Sequence, residues 1–350
     1  MKTIKEIAQE ANVSEGTVDR VLHNRGGVSK KTETKIKAII KAHNFSVNPV
    51  ASALALKNKF SIAALIPVHN TSDLFWKSPN IGITKAAEDI KTFGTQVLTL
   101  TYNQQKPESY INAFNELLKS NPSAFIIAPS FSEETKEIVA VLEAKNIPYI
   151  FLNIEIEGFN NLSFVGQDAF TAGYIAAKLM QSKTLESSSF LIIQSRKNIT
   201  NNNAVFKRIE GFTKYFIEHN IPHKILTLEI ENQESKSIRK TRINTYLKNH
   251  PDIKGVFVPS SRIHMIVDSM KDEYLNNIEL IGFDNTPQNV ECLMTDSVSY
   301  LISQKPFDQG YNAIKLMNDY LVKNTIPDRK IYLPIDILIK ENVIYNENSY

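Results

Sequence analysis

The sequence lacks several features that would point to secretion, to a membrane or to redox chemistry. It contains a single cysteine, Cys292, so no disulfide bond can form within the chain and a reducing cytoplasm is expected. No run of 18 or more apolar residues occurs, which argues against a membrane-spanning helix. The N-terminal stretch MKTIKEIAQEA is amphipathic rather than basic and then apolar, so a secretory signal is not predicted.

The sequence also lacks a recognisable set of catalytic or metal-binding residues. Its seven histidines are scattered, and only His219 and His223 share helical spacing, which Pro222 between them interrupts. No phosphate-binding glycine motif follows a strand-like segment. We therefore expect no enzyme, no metal site and no nucleotide cofactor, and we expect Cys292 to be an inert side chain.

Charge is distributed unevenly along the chain. The first 60 residues contain eleven Lys and Arg against five Asp and Glu, a net charge of +6, whereas the remainder carries −3. A basic N-terminal segment on an acidic body favours a polyanionic partner for that segment. A merely solvated basic face is the alternative, and charge alone does not decide between the two.

Three short helices are predicted within the first 45 residues. The first has an apolar face at helical spacing with Thr3 as its N-cap, and this face comprises Ile4, Ile7, Ala8 and Ala11. Ser14 can cap the second helix, which runs to about residue 23, and Ser29 can cap the third, which ends near Asn44. Two helices joined by a three-residue turn and followed by a third form a helix-turn-helix unit.

The second helix has two faces of different character. Val18, Val21 and Leu22 would pack on the other helices, which leaves the opposite face free to enter a DNA major groove. Gly16 costs about 1 kcal/mol relative to alanine in a helix interior. Close approach to base edges would justify that cost, and a flexible helix start is the alternative. Arg20 could bind guanine or a phosphate.

The stretch TIKEIAQEANVSEGTVDRVLHNRGGVSKKTETKIKAIIKAHNFSVNPVASAL resembles the headpiece of the lactose/galactose repressor family. It shares TIK-x-IA, A-x-VS-x-x-TV-x-RVL, VS-x-x-T and an asparagine-containing hinge before a leucine. The resemblance implies that Glu15, Gly16 and Arg20 read bases. It implies further DNA contacts by Thr3, Ser14, Thr17, Asn24, Arg25, Ser29, Asn48, Ala51 and Leu54. The family usually has serine in place of Asp19, which removes one expected phosphate contact.

The hinge implied by the resemblance spans residues 46–60, between a headpiece at 1–45 and a body at 61–350. A helix this short is marginal in isolation. The resemblance implies that it becomes ordered on DNA and inserts Leu54 into the minor groove. An ordinary linker helix with Leu54 packed on the protein is the alternative. Ser52 replaces an arginine common in the family, and Lys57 and Lys59 could compensate for the lost charge.

The body alternates short apolar runs with helical segments. Runs such as SIAALIP, AFIIAP, FLIIQ and IELIGFD are continuous enough to be strands buried on both faces of parallel sheets. About ten such units exceed one sheet, so the predicted fold is a small all-α headpiece followed by an α/β body of two Rossmann-like lobes. Ligands of such sheets bind beyond the carboxyl ends of the strands.

The body is similar to the periplasmic-binding-protein-like sensor domain of the same family through LSFVGQDAFTAGYIAA, KRIEGF, LIGFDNTP and YLPIDILIKENV. The resemblance implies that two lobes close on a ligand, with chain crossovers near 160, 287 and 320. The effector-binding residues that it implies are Phe75, Trp76, Asp168, Arg208, Ser260, Arg262, Asp284 and Gln304. For several of these residues a structural role is the alternative: core packing for the two rings, a helix N-cap for Asp168, a surface salt bridge for Arg208 and a turn for Asp284.

These residues suit a sugar-like effector. A carboxylate, an arginine and amides match hydroxyl groups, and an aromatic ring takes the apolar sugar face. Ser260, Ser261 and Arg262 replace an Asn-Asp pair common in the family, and together with Lys77 they keep a sugar acid or a phosphate open. Whether a neutral or an anionic effector binds is undecided at this point.

The sequence therefore predicts a cytoplasmic, homodimeric transcriptional regulator that acts as a repressor and binds pseudo-palindromic double-stranded DNA and a small sugar-like effector. No membrane is involved. A sugar-binding protein without DNA function is the first alternative, but it would need a secretion signal and would lack the headpiece. A sugar-modifying enzyme is the second, and it would need a catalytic set that the sequence does not offer.

Overall fold

The computed structural model describes residues 4–22, 26–43, 60–69, 74–184, 188–194, 203–231 and 234–346. Several residues singled out in the sequence lie outside these ranges, and their predicted roles stay predictions: Thr3, Asn24, Arg25, Asn44, Asn48, Ala51, Ser52, Leu54, Lys57 and Lys59. Within the described ranges the chain forms a helical headpiece and two α/β lobes.

The headpiece has the predicted three helices, which are α1 (Ile4–Ala11), α2 (Glu15–Leu22) and α3 (Lys30–Ala42). Asn12 turns the chain between α1 and α2 in the left-handed region, at a φ of 57°. A common apolar core unites the helices, and its buried members are Ile7, Ala8, Ala11, Val18, Val21 and Ile36. The apolar faces read from helical spacing are therefore confirmed.

The first lobe is built on a six-stranded sheet with the order β11-β5-β4-β3-β1-β2. Its strands are β1 (Phe60–Pro67), β2 (Thr95–Tyr102), β3 (Ala124–Ile127), β4 (Tyr149–Leu152), β5 (Ser163–Gly166) and β11 (Lys330–Tyr332), all parallel. The helices on its two faces are α4 (Lys77–Lys91), α5 (Pro107–Lys119), α6 (Ser132–Ala144) and α13 (Pro306–Lys323).

The second lobe repeats the plan with the order β12-β10-β9-β8-β6-β7. Its strands are β6 (Ser189–Gln194), β7 (Ile225–Glu229), β8 (Ile253–Phe257), β9 (Glu279–Phe283), β10 (Tyr300–Ser303) and β12 (Asp336–Leu338). Only β12 runs antiparallel to its neighbour. The helices are α7 (Ala169–Lys183), α8 (Asn203–Glu218), α9 (Lys236–Asn249), α10 (Ile263–Val267), α11 (Asp272–Leu275) and α12 (Pro287–Met294).

The central strands are buried on both faces, which explains their continuous apolar runs. In β1, Ile62, Ala64 and Ile66 pack into one apolar cluster, whereas Ala63 and Leu65 pack into another on the opposite side of the sheet. Successive strand residues point to opposite faces, and helices cover both faces here. The predicted pair of Rossmann-like lobes is thereby confirmed.

The three crossovers between the lobes lie later in the chain than predicted. The chain passes from the first sheet to the second between β5 and α7, returns between β10 and α13, and crosses again between β11 and β12. These positions are residues 167–168, 304–305 and 333–335, not 160, 287 and 320. The physical reason is that α7 and α13 pack on the lobe that they enter, so each crossing occurs directly at a strand end.

Candidate functional site

The outward face of α2 carries polar side chains around a bare backbone position. Ser14, Glu15 and Arg20 are exposed, and Thr17 is half-buried. A side chain at Gly16 would find open space, with only the Ser14 hydroxyl oxygen at 3.9 Å. The Thr17 amide donates to the Ser14 hydroxyl at 3.3 Å, which confirms the predicted cap. The beginning of α2 is thus accessible to a partner.

The third helix is held in the headpiece by an N-terminal cap and by a hydrogen bond to α1. Ser29 caps α3 by accepting a hydrogen bond from the Thr32 amide at 3.2 Å, as predicted. Lys35 donates through Nζ to the Ala11 carbonyl oxygen at 2.8 Å, which connects α3 to the end of α1. The positions of the exposed α2 residues are therefore set by a packed and hydrogen-bonded scaffold.

The second lobe contains a buried guanidinium beside the loop that follows β8. Arg208, on α8, is 4% exposed, and its Cζ lies 3.8 Å from the centre of the Phe283 ring. Its Nη1 donates to the Pro259 carbonyl oxygen at 3.0 Å, whereas its buried Nε has no hydrogen-bond partner. Burial lowers the pKa of Arg208 to about 10 and the charge of Asp284 opposes this shift, so the guanidinium stays charged at neutral pH.

A chain of hydrogen bonds connects the two lobes beside Arg208. Gln304, in the second crossover, donates through Nε2 to the Asp284 carboxylate at 2.8 and 3.1 Å. Its own Oε1 accepts from Asn153 Nδ2, at the end of β4 in the first lobe, at 3.1 Å. The same Asn153 nitrogen donates to Gln309 Oε1 at 2.9 Å. The structure thus places Arg208, Asp284 and Gln304 close together, and their contact with an effector stays a prediction.

The aromatic pair occupies the equivalent edge of the first lobe. Phe75 and Trp76 are 6% and 3% exposed, and their rings meet edge to face at a centroid distance of 5.2 Å. Both pack into the apolar cluster that contains Ile66 and Ile83. Core packing, the alternative role for these two rings, is therefore confirmed. Their contact with an effector stays a prediction.

The remaining predicted residues, Asp168, Ser260 and Arg262, lie in segments that follow strands. Asp168 caps α7, where it accepts from the Thr171 amide at 3.0 Å, so the alternative role as an N-cap is also real. It also lines a cavity of about 160 Å³ that lies between the lobes and includes Lys207 of α8. Ser260 and Arg262 are half-buried in the loop after β8 and at the start of α10.

Four buried or half-buried amides at this edge were missed in the sequence: Asn153, Gln167, Asn289 and Gln309. Asn289 donates through Nδ2 to the carbonyl oxygens of Ser261, Phe283 and Asp284, each at 2.9 Å, and so holds two strand-end loops together. Gln167 Nε2 donates to the Ser303 carbonyl oxygen at 2.8 Å and joins the first crossover to the end of β10. Asn153 directly follows the run IPYIFL, which is the signal that could have identified it.

The described residues offer little for metal binding, membrane insertion or thiol chemistry. No cluster of three or more metal-ligating side chains occurs among them, and none of their helices is both long and apolar enough to cross a bilayer. Cys292 is buried, and burial raises the pKa of its thiol to about 11. A protonated, enclosed thiol agrees with the expectation of an inert side chain.

Two family models match the chain side by side. Residues 3–48 match the bacterial regulatory proteins of the lacI family, and residues 62–325 match the periplasmic binding protein domain. The chain belongs to the LacI-type regulators with a periplasmic-binding-protein domain. It is therefore a DNA-binding transcriptional regulator. The alternative of a sugar-binding protein without DNA function is less supported.

Full-length relatives agree with this assignment. The chain is 25% identical to the ribose operon repressor of Halalkalibacterium halodurans, covering 100% of this chain and 99% of that protein. It is 23% identical to the catabolite control protein A of Priestia megaterium, covering 97% and 98%. These relatives are regulators and not enzymes. A crystal structure of a putative LacI transcriptional regulator from Bacteroides fragilis has 27% identity and a TM-score of 0.74, covering 82% of this chain and 99% of that one.

Proposed function

We propose that this LacI-type regulator is a repressor whose affinity for operator DNA falls when a neutral, polyhydroxylated effector binds between the lobes. The observation that carries the proposal is the combination in one chain of an exposed, glycine-bearing α2 and a balanced polar group at the facing strand ends. The headpiece would span residues 1–45, the hinge 46–60 and the effector-binding body 61–350.

The DNA contacts would come from the exposed face of α2. Its first turn would enter the major groove, with Gly16 permitting close approach and Arg20 and Glu15 reaching base edges. Ser14, Thr17 and Ser29 would contact the backbone. A homodimer in the cytoplasm would present two such helices to a pseudo-palindrome. Leu54 would act as a minor-groove wedge in the hinge.

A neutral effector fits the charges better than an acid or a phosphate. The positive charge of Arg208 is opposed by Asp284, which is fully buried and accepts hydrogen bonds from Gln304. Lys305 follows Gln304 in the second crossover, and its Nζ forms an ion pair with Asp336 Oδ2 at 2.6 Å. Uncharged hydroxyls can accept from guanidinium and amide groups and donate to carboxylate and carbonyl groups without adding a charge. The apolar sugar face would lie on Phe75 and Trp76.

The first experiment tests DNA recognition. The full chain is used to select duplexes from a random library, and the enriched duplex is titrated in a gel-shift assay with competitor DNA. Arg20→Ala should abolish the preference for the selected duplex, whereas Lys37→Ala, on the exposed face of α3, should weaken selected and random DNA alike. Equal preference in the wild type and Arg20→Ala would reject α2 as the reading helix.

The second experiment tests the effector class. The melting temperature of the full chain is measured with D-ribose, D-glucose, D-gluconate and ribose 5-phosphate, the first chosen because a relative is named ribose operon repressor. A ligand at about 100 times its Kd stabilises by about 2.7 kcal/mol. We expect stabilisation by a neutral sugar and weaker binding of the selected duplex in its presence. Stabilisation by only the two anions would contradict the neutral effector.

A further inference from the structure

Each crossover helix packs against the helix that bears predicted effector residues in the lobe that it enters. The helix α7 starts directly after the first crossover and lies along α8, which carries Arg208. The helix α13 starts directly after the second crossover and lies along α4, whose N-cap residue is Trp76. The two lobes thus contain equivalent helix pairs at equivalent places beside the cleft.

In the second lobe, glycines bring the two helix backbones into direct contact. A Cβ atom built on Gly173 of α7 would overlap the carbonyl oxygen of Arg208 and lie 2.7 Å from its Cα. A Cβ atom built on Gly211 of α8 would overlap the carbonyl oxygen of Phe170 and lie 2.9 Å from its carbonyl carbon. The obstacle is backbone in both cases, and backbone cannot turn aside as a flexible side chain can.

The first lobe shows the same arrangement. A Cβ atom built on Gly310 of α13 would overlap the carbonyl oxygen of Pro79 and lie 2.9 Å from its carbonyl carbon. Pro79 lies in the first turn of α4, three residues after Trp76. Reciprocally, a Cβ atom built on Gly82 would overlap the carbonyl oxygen of Phe307 and lie 2.9 Å from the amide nitrogen of Tyr311.

The side chain of Arg208 has little freedom to compensate for a shift of its backbone. Its guanidinium carbon lies 3.8 Å from the centre of the Phe283 ring, its Nη1 donates to the Pro259 carbonyl oxygen, and the side chain is more than nine-tenths buried, with an unpartnered Nε. Trp76 is similarly enclosed among apolar side chains. Because close-packed interiors transmit small displacements, a change in helix spacing would move these side chains with their helices.

We propose that Gly173 and Gly310 are positioning residues, which set the places of Arg208 and Trp76 by allowing the crossover helices to touch the effector-bearing helices. Each crossover is thereby joined to one side of the effector site, so relative movement of the lobes and engagement of the effector are mechanically connected. The inference rests on the proposed function in one respect, namely that Arg208 and Trp76 contact the effector.

The test uses Gly173→Ala, Gly310→Ala and Gly255→Ala in the full chain. Gly255 is the control, because its Cβ would meet the side chains of Met180 and Phe190 in the core of the second lobe and not a helix backbone. Two readouts need no effector. One is the side-chain Nε–H resonance of Arg208, identified by its loss in Arg208→Lys, and the other is the fluorescence of Trp76, the single tryptophan.

We expect a selective pattern. Gly173→Ala should shift the Arg208 resonance by more than its line width, because the guanidinium moves relative to the Phe283 ring, and should leave the Trp76 emission maximum in place. Gly310→Ala should shift the Trp76 emission and leave the Arg208 resonance in place. Gly255→Ala should lower the melting temperature and move neither signal, which separates positioning from simple loss of stability.

Two results would overturn the inference: an unmoved Arg208 resonance in folded Gly173→Ala, or an equal shift in Gly255→Ala. If Gly173→Ala does not accumulate as folded protein, Gly211→Ala separates the same two helices and carries the same expectation. The readouts also distinguish this inference from the proposed function. Failure to find any effector would remove the proposed function but leave the selective pattern standing. A sugar that binds the wild type while the selective pattern is absent would support the proposed function and overturn this inference.

Discussion

The two lobes share one strand order but differ in the chemistry of their buried side chains. Three buried charged side chains occur among the described residues, Arg208, Arg239 and Asp284, and all belong to the second lobe. The first lobe offers the buried rings of Phe75 and Trp76 instead. A repeated scaffold can thus bury charge in one lobe and apolar rings in the equivalent place of the other.

The strongest way to break this contrast is to remove one partner of the charged pair. Arg208→Met should cost about 3–5 kcal/mol of unfolding free energy, because it removes a buried opposite charge that acts on the fully buried Asp284. Urea denaturation of the full chain measures the loss. Lys214→Met is the matched control on the exposed side of the same helix and should change stability by less than about 0.5 kcal/mol. Equal losses of unfolding free energy in the two variants would show that Arg208 contributes no more to stability than an exposed lysine of the same helix.

A second change addresses the first lobe, where packing should dominate. Trp76→Phe should cost about 1–2 kcal/mol, since it removes part of a buried ring system while an apolar side chain remains. The loss should be independent of salt and of pH between 6 and 8, as expected for packing without charge. Urea midpoints at low and high salt provide the measurement. A salt-dependent loss would indicate a polar role for Trp76 in the absence of effector.

The link between the lobes gives a third, smaller effect. Asn153 has a φ of 65°, so Asn153→Gly removes its side-chain hydrogen bonds to Gln304 and Gln309 without adding backbone strain. The expected loss is about 1–2 kcal/mol, the usual range for such bonds. Small-angle scattering should report a more open average of the two lobes. Unchanged stability and scattering would assign the connection between the lobes to the crossovers alone.

The headpiece was predictable because its signals are local. Helical spacing identified the buried faces of α1, α2 and α3, and Ser14 and Ser29 were identified as caps from their place before apolar periodicity. These features involve residues only three or four apart, so the sequence itself contains the geometry.

The cleft was only partly predictable because it is assembled over long distances. Arg208, Asp284 and Gln304 were identified through family motifs, and the structure does bring them together. Asn153 was missed because its partners Gln304 and Gln309 lie more than 150 residues away. The crossovers were misplaced for a similar reason, since only packing shows which lobe a helix joins.

The single thiol provides the finest test of whether the two lobes behave differently. Cys292 belongs to the core of the second lobe, and because burial raises its pKa to about 11, modification at pH 8 has to await opening of that core. Arg208→Met should therefore accelerate labelling of Cys292 by a maleimide reagent, whereas Trp76→Phe in the first lobe should leave the rate close to that of the wild type. Equal acceleration by both changes would show that the lobes open as one cooperative unit despite their separate cores.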